Sequence, residues 1–319
     1  MKTLSFRLLM ATVVATALIA IGCDNAPASD GAKANTSKVR TGPLKITCTI
    51  GMITDVAKTI AGPHAEVIGL MGPGVDPHLY KATQGDLERL SSADLILYNG
   101  LHLEGKMADV LVKMARSVHT VQVTESIPED QLREPSEFQG QHDPHVWFDV
   151  MLWSHAAERI RDALIEADPA HKADFEKNAT DYLAKLKDTD AYVRERIAEI
   201  PKEQRVLVTA HDAFGYFGRA YDIEVMGLQG ISTAAEYGAQ DLTRLVDVIV
   251  QRKIKAVFVE SSISPKSIEA LVRGVEGKGG NVKIGGQLYS DAMGADGTPE
   301  GTYIGMVRKN ADTIADALK

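Results

Sequence analysis

The chain alternates twice between short apolar runs and helical stretches, and this alternation most constrains its fold. The first series begins at Leu44, and its strand-like runs are LKITCTI, AEVIGL, ADLILYN and HTVQVT. The second begins at Arg205 and contains RVLVTA, IEVMGL, KAVFVES and NVKIGG. Segments with helical periodicity, such as ITDVAKTIAG and TRLVDVIVQRK, separate the strands. Because strands that alternate with helices are typical of parallel sheets covered on both faces, we predict an α/β protein with two similarly built parallel-sheet lobes.

A long helical segment lies between the two series, and we predict that it connects the lobes over residues 169–200. Apolar side chains recur along it every three or four residues, which places them on one helix face. They are Phe175, Ala179, Tyr182, Leu186, Val193 and Ile197. A helix of this length spans about 45 Å, enough to run along both lobes. The predicted lobes are residues 43–168 and 201–319, and a single connecting helix should restrict hinge opening.

Residues 1–23 have the pattern of a secretory signal peptide. Lys2 and Arg7 flank an apolar run that is too short for a good membrane span and that ends at Cys23. The ending AIGC resembles a bacterial lipobox, in which the cysteine becomes the lipidated first residue; a cleaved signal that merely contains a cysteine is the alternative. Residues 24–42 are small and polar, which predicts a flexible tether. We therefore expect a protein of the periplasm or cell surface, anchored by lipid at Cys23.

The net charge argues against a nucleic-acid partner, and the position of Cys48 argues against a disulfide. The formal net charge of −8, without a basic cluster beyond the N-terminus, argues against a nucleic-acid partner. Cys48 lies in an apolar run, so we predict a small buried core residue without a disulfide.

The tripeptide Asp-Pro-His occurs twice, ending at His78 and at His145. Proline fixes its own φ and restricts the residue before it, so each imidazole is presented from a stiff turn. Both turns follow predicted strands of the first lobe, while His211 and Asp291 follow strands of the second. The carboxyl ends of strands face the ligand crevice in doubly wound sheets. The sequence therefore predicts one metal site between the lobes, formed by His78, His145, His211 and Asp291.

Three imidazoles and a carboxylate suit Zn²⁺ best among common ions and tolerate Mn²⁺. If protein side chains fill the coordination positions, no open position remains for water activation, which favours a carrier and argues against an enzyme. Two alternatives stay open. A metallohydrolase would need an open metal position and a general base, and the chain has no HExxH motif. In a surface adhesion lipoprotein the metal would be structural.

Other polar residues lie near these predicted ligands in the sequence. Asp212 and Glu260 end strands, and we predict that they orient imidazole N–H groups. His142 is either a transient metal-capture group or a loop residue, and we favour the second interpretation. The remaining histidines lie in helical, helix-edge or turn contexts and are predicted to be solvated or locally hydrogen-bonded: His64, His102, His119, His155 and His171.

Over residues 44–319 the chain resembles the zinc/manganese-binding solute receptors of ABC transporters, of the TroA type. The similarity rests on GVDPHLYKATQGDLERLSSADLILYNGLHLEGKM, DPHVWFDV, HDAFGYFGRAY, GLQGIST, FVESSISPK and GGQLYSDAMGADGTPEGTYIGMVRKN. It implies two α/β lobes joined by one long helix and a metal between them. It also implies delivery of the metal to a membrane permease powered by a cytoplasmic ATPase. The family's ligands would fall on the same four residues: His78, His145, His211 and Asp291.

The resemblance further implies a monomer that carries one Zn²⁺ or Mn²⁺ ion per chain and has no enzymatic activity. Manganese-dedicated relatives tend to have a glutamate at the position of His211. Zinc-dedicated relatives often carry a long His-rich and acidic loop before the second histidine, where this chain has only the short REPSEFQGQH. Both ions therefore remain candidates.

Overall fold

The computed structural model describes residues 42–138 and 140–319. The predicted signal peptide, Cys23 and the tether up to residue 41 lie outside these described residues. No helix within the described ranges combines the length and apolar character needed to cross a bilayer.

The first lobe is built on a four-stranded parallel sheet in the order β2-β1-β3-β4. Its strands are β1 (Leu44–Cys48), β2 (Ala65–Gly69), β3 (Leu95–Tyr98) and β4 (His119–Gln122). The intervening helices are α1 (Gly51–Ala61), α2 (Gln84–Ser92) and α3 (Ala108–Met114). All four predicted strands are confirmed. Helix α3 is shorter than the segment KMADVLVKMARS, whose pattern predicts a helix, and Gly105–Met107 forms a 3-10 turn before it. Cys48 is buried, as predicted, and forms no disulfide within the described residues.

Two helices follow the first sheet, and the second of them is the predicted connection. Helix α4 spans Val150–Ala167 and helix α5 spans Lys172–Ala198, which is 27 residues or about 40 Å. Helix α5 starts slightly later than predicted, because Pro169–His171 forms a 3-10 turn. All six apolar residues predicted for its inner face are buried. It packs against α1 and α4 on one side and against helices of the second lobe on the other.

The second lobe repeats the arrangement of the first. Its strands are β5 (Val206–His211), β6 (Glu224–Gln229), β7 (Ala256–Glu260) and β8 (Lys283–Leu288). They form two parallel pairs, β5–β6 and β7–β8, and β5 also lies beside β7. Its helices are α6 (Gly215–Tyr221), α7 (Ala239–Arg252), α8 (Lys266–Gly277) and α9 (Tyr303–Leu318). The spatial order β6-β5-β7-β8 therefore matches that of the first sheet.

The segments GDLERL, at the start of α2, and QDLTRL, at the start of α7, are similar in sequence for a structural reason. Each contains an aspartate in the first turn of a helix whose carboxylate accepts the N–H of the residue that caps the helix. Asp86 accepts from Thr83 at 2.8 Å at the start of α2, and Asp241 accepts from Gly238 at 2.9 Å at the start of α7. An anionic side chain satisfies a free amide and complements the helix dipole at this position. The repeated aspartates thus mark equivalent helix starts in the two lobes.

Direct contacts join the lobes in addition to α5. Trp147, before α4, donates its ring N–H to the Ser290 carbonyl at 3.1 Å, after β8. Tyr303, the first residue of α9, donates its hydroxyl to the Trp147 carbonyl at 2.7 Å and its amide to Asp55 at 2.9 Å. One continuous buried apolar cluster contains residues of both sheets and of α5. The two lobes are therefore packed together along a shared core.

Candidate metal centre

The structure brings the four predicted ligands together where the two sheets face each other. His78 lies in the loop after β2, His145 in the loop after β4, His211 at the end of β5 and Asp291 just after β8. One donor atom from each side chain lies within 4.8 Å of the others. The four residues are between 0% and 4% exposed. Carboxyl ends of strands from both lobes thus converge on one buried point.

The distances between donor atoms suit a common ion. Zinc binds imidazole nitrogen at about 2.1 Å, so neighbouring donors of a tetrahedral site lie about 3.4 Å apart. The Nε2 atoms of His78 and His145 are 3.3 Å apart. The Asp291 oxygens lie 3.4 Å from Nε2 of His145 and 3.3 Å from Nε2 of His211. Nε2 of His78 is 3.6 Å from Asp291 Oδ2. Both carboxylate oxygens face imidazoles, so Asp291 can offer one oxygen or two.

Several of these buried donors lack a hydrogen-bond partner among the described residues. They include both carboxylate oxygens of Asp291 and Nε2 of His211. A buried polar atom without a partner costs about 1–3 kcal/mol, and more when the group is charged. A divalent cation among the donors would satisfy these atoms, so the chemistry of the donor set fits a metal ion.

The repeated Asp-Pro-His sequence forms the same turn twice. The Asp76 carboxylate accepts the backbone N–H of His78 at 2.9 Å, and the Asp143 carboxylate accepts that of His145 at 3.0 Å. Aspartate commonly closes such a turn on the amide two residues ahead. The proline was the basis of the sequence prediction, but the aspartate also fixes the turn. The aspartate is present in both copies of the tripeptide, and this repetition could have indicated its function in the turn.

Two carboxylates orient the imidazoles through the nitrogen that faces away from the centre. Asp143 Oδ1 lies 2.8 Å from Nδ1 of His145. Glu260 Oε2 lies 2.5 Å from Nδ1 of His211, and its other oxygen accepts the amide of His211 at 2.8 Å. Glu260 was predicted from the sequence and Asp143 was missed. An Nδ1–H bonded to carboxylate leaves Nε2 as the metal-binding nitrogen. The orienting function predicted for Asp212 stays a prediction.

The pKa values of the three imidazoles are shifted in different directions: that of His78 is lowered, and those of His145 and His211 are raised. Burial lowers the pKa of His78 to about 3. Burial also acts to lower the pKa of His145, but the Asp291 and Asp143 carboxylates together outweigh it and the pKa rises to about 9. At His211 burial is outweighed by Glu260 and Asp291, which hold its pKa well above the usual range. Burial acts to raise the pKa of Asp291, but the charges on His211 and His145 hold it well below the usual range. A metal ion must therefore displace protons from His145 and His211.

The other histidines lie in separate local contacts. His142 is half-buried and lies 4.0 Å from Glu129, outside the four-residue group. His64 pairs with Asp174 at 2.9 Å, and His171 pairs with Asp168 at the same distance. His119 begins β4 and so is not at a helix edge as predicted. The exposed His102 adopts φ of 65° in a turn, and His155 is half-buried within α4.

Comparison with known proteins places these features in a family. The family model described as "Zinc-uptake complex component A periplasmic" matches residues 46–317. The chain is 50% identical to the manganese-binding lipoprotein MntA of Bacillus subtilis over 311 residues, covering 98% of this chain and 99% of MntA. It is 53% identical to the zinc-binding protein TroA of Treponema pallidum over 276 residues, covering 86% of this chain and 89% of TroA.

A solved structure of the periplasmic zinc-binding protein TroA from Treponema pallidum superposes with a TM-score of 0.85 at 52% identity. The match covers 87% of this chain and 99% of that one. Family model, sequence and fold agree over nearly the whole described chain. The protein belongs to the family of periplasmic zinc-uptake component A proteins, the metal-binding receptors of ABC uptake systems.

Proposed function

We propose that the protein captures one Zn²⁺ or Mn²⁺ ion with His78, His145, His211 and Asp291 and delivers it to the permease of an ABC transporter. The observation that carries this proposal is the buried set of four converging donors, of which Asp291 lacks hydrogen-bond partners. Two relatives, the manganese-binding lipoprotein MntA and the zinc-binding protein TroA, support the same class of ion.

The burial of the donors supports a carrier in preference to an enzyme. His145 and His211 are fully buried, and His78 and Asp291 are nearly so. A hydrolytic metal centre needs an open coordination position for water and a route for substrate. Four protein donors around the ion leave neither, so the protein has no enzymatic activity in this proposal.

The donor set favours Zn²⁺ in intrinsic affinity. Imidazole nitrogen suits zinc, and zinc lies above manganese in the general order of affinities. The second oxygen of Asp291 can raise the coordination number, which is what Mn²⁺ requires. The protein therefore binds both ions, and the ion it carries in the cell depends on which is available.

The N-terminal sequence and the names of the relatives support a location at the outer face of the membrane or in the periplasm. Names of the relatives describe lipoproteins and periplasmic proteins. Lipid at Cys23 would anchor the protein at the outer face of the membrane, with residues 24–42 as tether and the folded part acting as a monomer. The permease and a cytoplasmic ATPase are the partners in this proposal.

Elemental analysis of protein isolated from its own cell envelope tests the function. We expect close to one zinc or manganese per chain, and a rise in melting temperature when Zn²⁺ is added to stripped protein. At a thousandfold excess over Kd the stabilisation is about 4 kcal/mol. Absence of both metals, together with no thermal shift, would contradict the proposal.

A chelator experiment separates the carrier from an adhesin with a structural metal. The apolar core is continuous across both lobes, so stripped protein should remain folded by circular dichroism. Unfolding on chelation would favour the structural alternative. Hydrolytic turnover by the loaded protein would favour the metallohydrolase.

A further inference from the structure

Arg133 contacts the carboxylate that orients His145. Its guanidinium Nη1 forms an ion pair with Asp143 Oδ2, while Oδ1 of the same carboxylate bonds to the amide and ring of His145. Asp143 is fully buried, and the Arg133 side chain is 24% exposed. A chain of direct contacts therefore runs from the protein surface to one predicted metal donor.

The same arginine lies against the opposite lobe. Arg133 belongs to the loop after β4, and its backbone N–H donates to the Tyr216 hydroxyl at 3.0 Å. That hydroxyl donates to the Asp143 carbonyl at 3.0 Å. The guanidinium passes directly over Gly215 at the start of α6, where a Cβ would lie 1.4 Å from Nη1. A Cβ at this position would therefore displace the guanidinium from its present contact with Asp143.

The contact between Arg133 and Asp143 also affects the charge balance around the metal centre. Asp143, Glu260 and Asp291 contribute three carboxylates, and among the described residues no lysine or arginine pairs with Glu260. A divalent ion and the Arg133 guanidinium together offset these three negative charges, while Asp76, a fourth carboxylate beside the centre, is bonded to Thr233 and to the amide of His78. Charge-assisted hydrogen bonds of this kind are also directional, so the arginine fixes the carboxylate as well as neutralising it.

We infer that Arg133 is a positioning residue that sets how long the metal stays bound. It holds Asp143, and through Asp143 the ring of His145, in place while resting on α6 of the other lobe. Metal retention is thereby coupled to this contact between the lobes. The inference rests on the proposed metal-binding function.

The test is the rate at which Zn²⁺ leaves the loaded protein on mixing with excess 4-(2-pyridylazo)resorcinol in a stopped-flow instrument. Partners of metal ligands typically contribute 10- to 100-fold to metal affinity, and we expect Arg133→Gln to speed dissociation about tenfold. Arg133→Lys keeps the positive charge but loses the planar guanidinium group, so its dissociation rate should lie between those of the wild type and Arg133→Gln. Gly215→Ala leaves the arginine in the chain but displaces its guanidinium, and should also accelerate release.

The matched control is Arg219→Gln. Arg219 stacks on the same Tyr216 ring at 5.0 Å and donates to the Gln131 carbonyl at 2.8 Å, so it too joins α6 to the first lobe. It has no contact with Asp143, and its removal should change the rate less than about twofold. Equal acceleration by Arg219→Gln would show that loosening of the lobes is the cause, and would overturn the inference.

A double-mutant cycle with Asp143→Asn decides whether Arg133 acts through the carboxylate. In that background Arg133→Gln should add less than about twofold. An undiminished effect, or an unchanged rate in Arg133→Gln and Gly215→Ala, overturns the inference and leaves the metal-binding proposal intact. Failure of the wild-type protein to bind Zn²⁺ or Mn²⁺ would instead overturn the proposed function.

Discussion

Asp291 contributes the one carboxylate among the four donors, and both of its oxygens face imidazole nitrogens without hydrogen-bond partners. Its charge therefore has no source of compensation at the centre apart from imidazolium or a metal ion. At the scale of single residues, the affinity of the centre depends on this charge, on the protons that the metal displaces and on the ligand at position 211.

Asp291→Ala should weaken Zn²⁺ binding more than about 100-fold, since it removes a direct anionic ligand and partners of ligands alone contribute 10- to 100-fold. The fold should persist, because the apolar core does not include this side chain. Isothermal titration measures the affinity. His142→Ala is the control and should leave it unchanged, because His142 lies outside the donor group. Equal losses in the two variants would mean that His142 is a ligand.

Metal binding at neutral pH should release about two protons per ion. The pKa of His145 is raised to about 9 and that of His211 lies well above its usual range, so both imidazoles are protonated at pH 7 without metal. His78, with its pKa lowered to about 3, has none to release. Affinity should therefore fall as the pH is lowered from 9. Calorimetry in two buffers with different ionisation enthalpies counts the protons, and binding without proton release would contradict the raised pKa values.

Replacing His211 by glutamate should narrow the preference for Zn²⁺ over Mn²⁺, because carboxylate oxygen is harder and can raise the coordination number. The structure adds a condition: Glu260 lies 2.5 Å from the ring of His211, and two carboxylates there would repel each other. The variant is therefore His211→Glu with Glu260→Gln, with Glu260→Gln alone as control. Competition titrations of both ions give the ratio, and an unchanged or wider ratio would assign selectivity to cavity geometry.

Spacing and chemistry were enough to predict that the four side chains converge, because the carboxyl ends of parallel strands meet at one edge. The contacts of Asp143 and Arg133 depend on side-chain direction across a turn and on a glycine in the other lobe. These contacts have no periodic signal in the sequence. Glu260 could be predicted because it ends a strand beside that of His211.

At the scale of elements, each Asp-Pro-His turn is held by a second contact of its aspartate. In the first turn, Asp76 Oδ2 accepts the Thr233 hydroxyl at 2.6 Å, and Thr233 lies in the loop after β6 of the other lobe. In the second, Arg133 provides the contact. Both turns are therefore tied to groups beyond their own backbone.

Thr233→Val should lower the free energy of unfolding by about 1–2 kcal/mol, because it leaves a largely buried Asp76 oxygen without its donor. Urea denaturation of the metal-free protein measures the change, with the m-value expected to stay constant. Thr243→Val is the matched control: its hydroxyl bonds to the Ala239 carbonyl on an exposed face of α7, and its loss should cost less than about 0.5 kcal/mol. Equal losses would mean that the contact between Asp76 and Thr233 contributes nothing.

The helices and strands with the clearest sequence patterns were the ones that could be predicted. Strands β1 to β8 were predicted because they are short apolar runs between helical segments, and the buried face of α5 was predicted because its apolar residues recur every three or four positions. Helices α4 and α9 were not predicted, although each begins with a capping side chain: Asp149 accepts from Leu152, and Thr302 accepts from Gly305. Both helices pack on several neighbours, so their apolar residues cover more than one face.

At the scale of the whole molecule, α5 and the contacts of Tyr303 and Trp147 hold the lobes in one arrangement. We expect small-angle scattering curves of stripped and Zn²⁺-loaded protein to superimpose, because closing a wide cleft would break a continuous 27-residue helix and a shared core. A maltose-binding type of hinge protein, measured with and without ligand, provides the positive control. A large compaction on adding Zn²⁺ would contradict this arrangement.

The division of the donors between the two sheets also affects how the protein is made. His78 and His145 precede α5 in the chain, and His211 and Asp291 follow it. A chain whose second half is still unfolded offers two imidazoles and no carboxylate, which bind a divalent ion far more weakly than the complete set. In the proposed function, partly folded or truncated molecules would therefore compete poorly for the ion, and tight binding would require both halves to be folded.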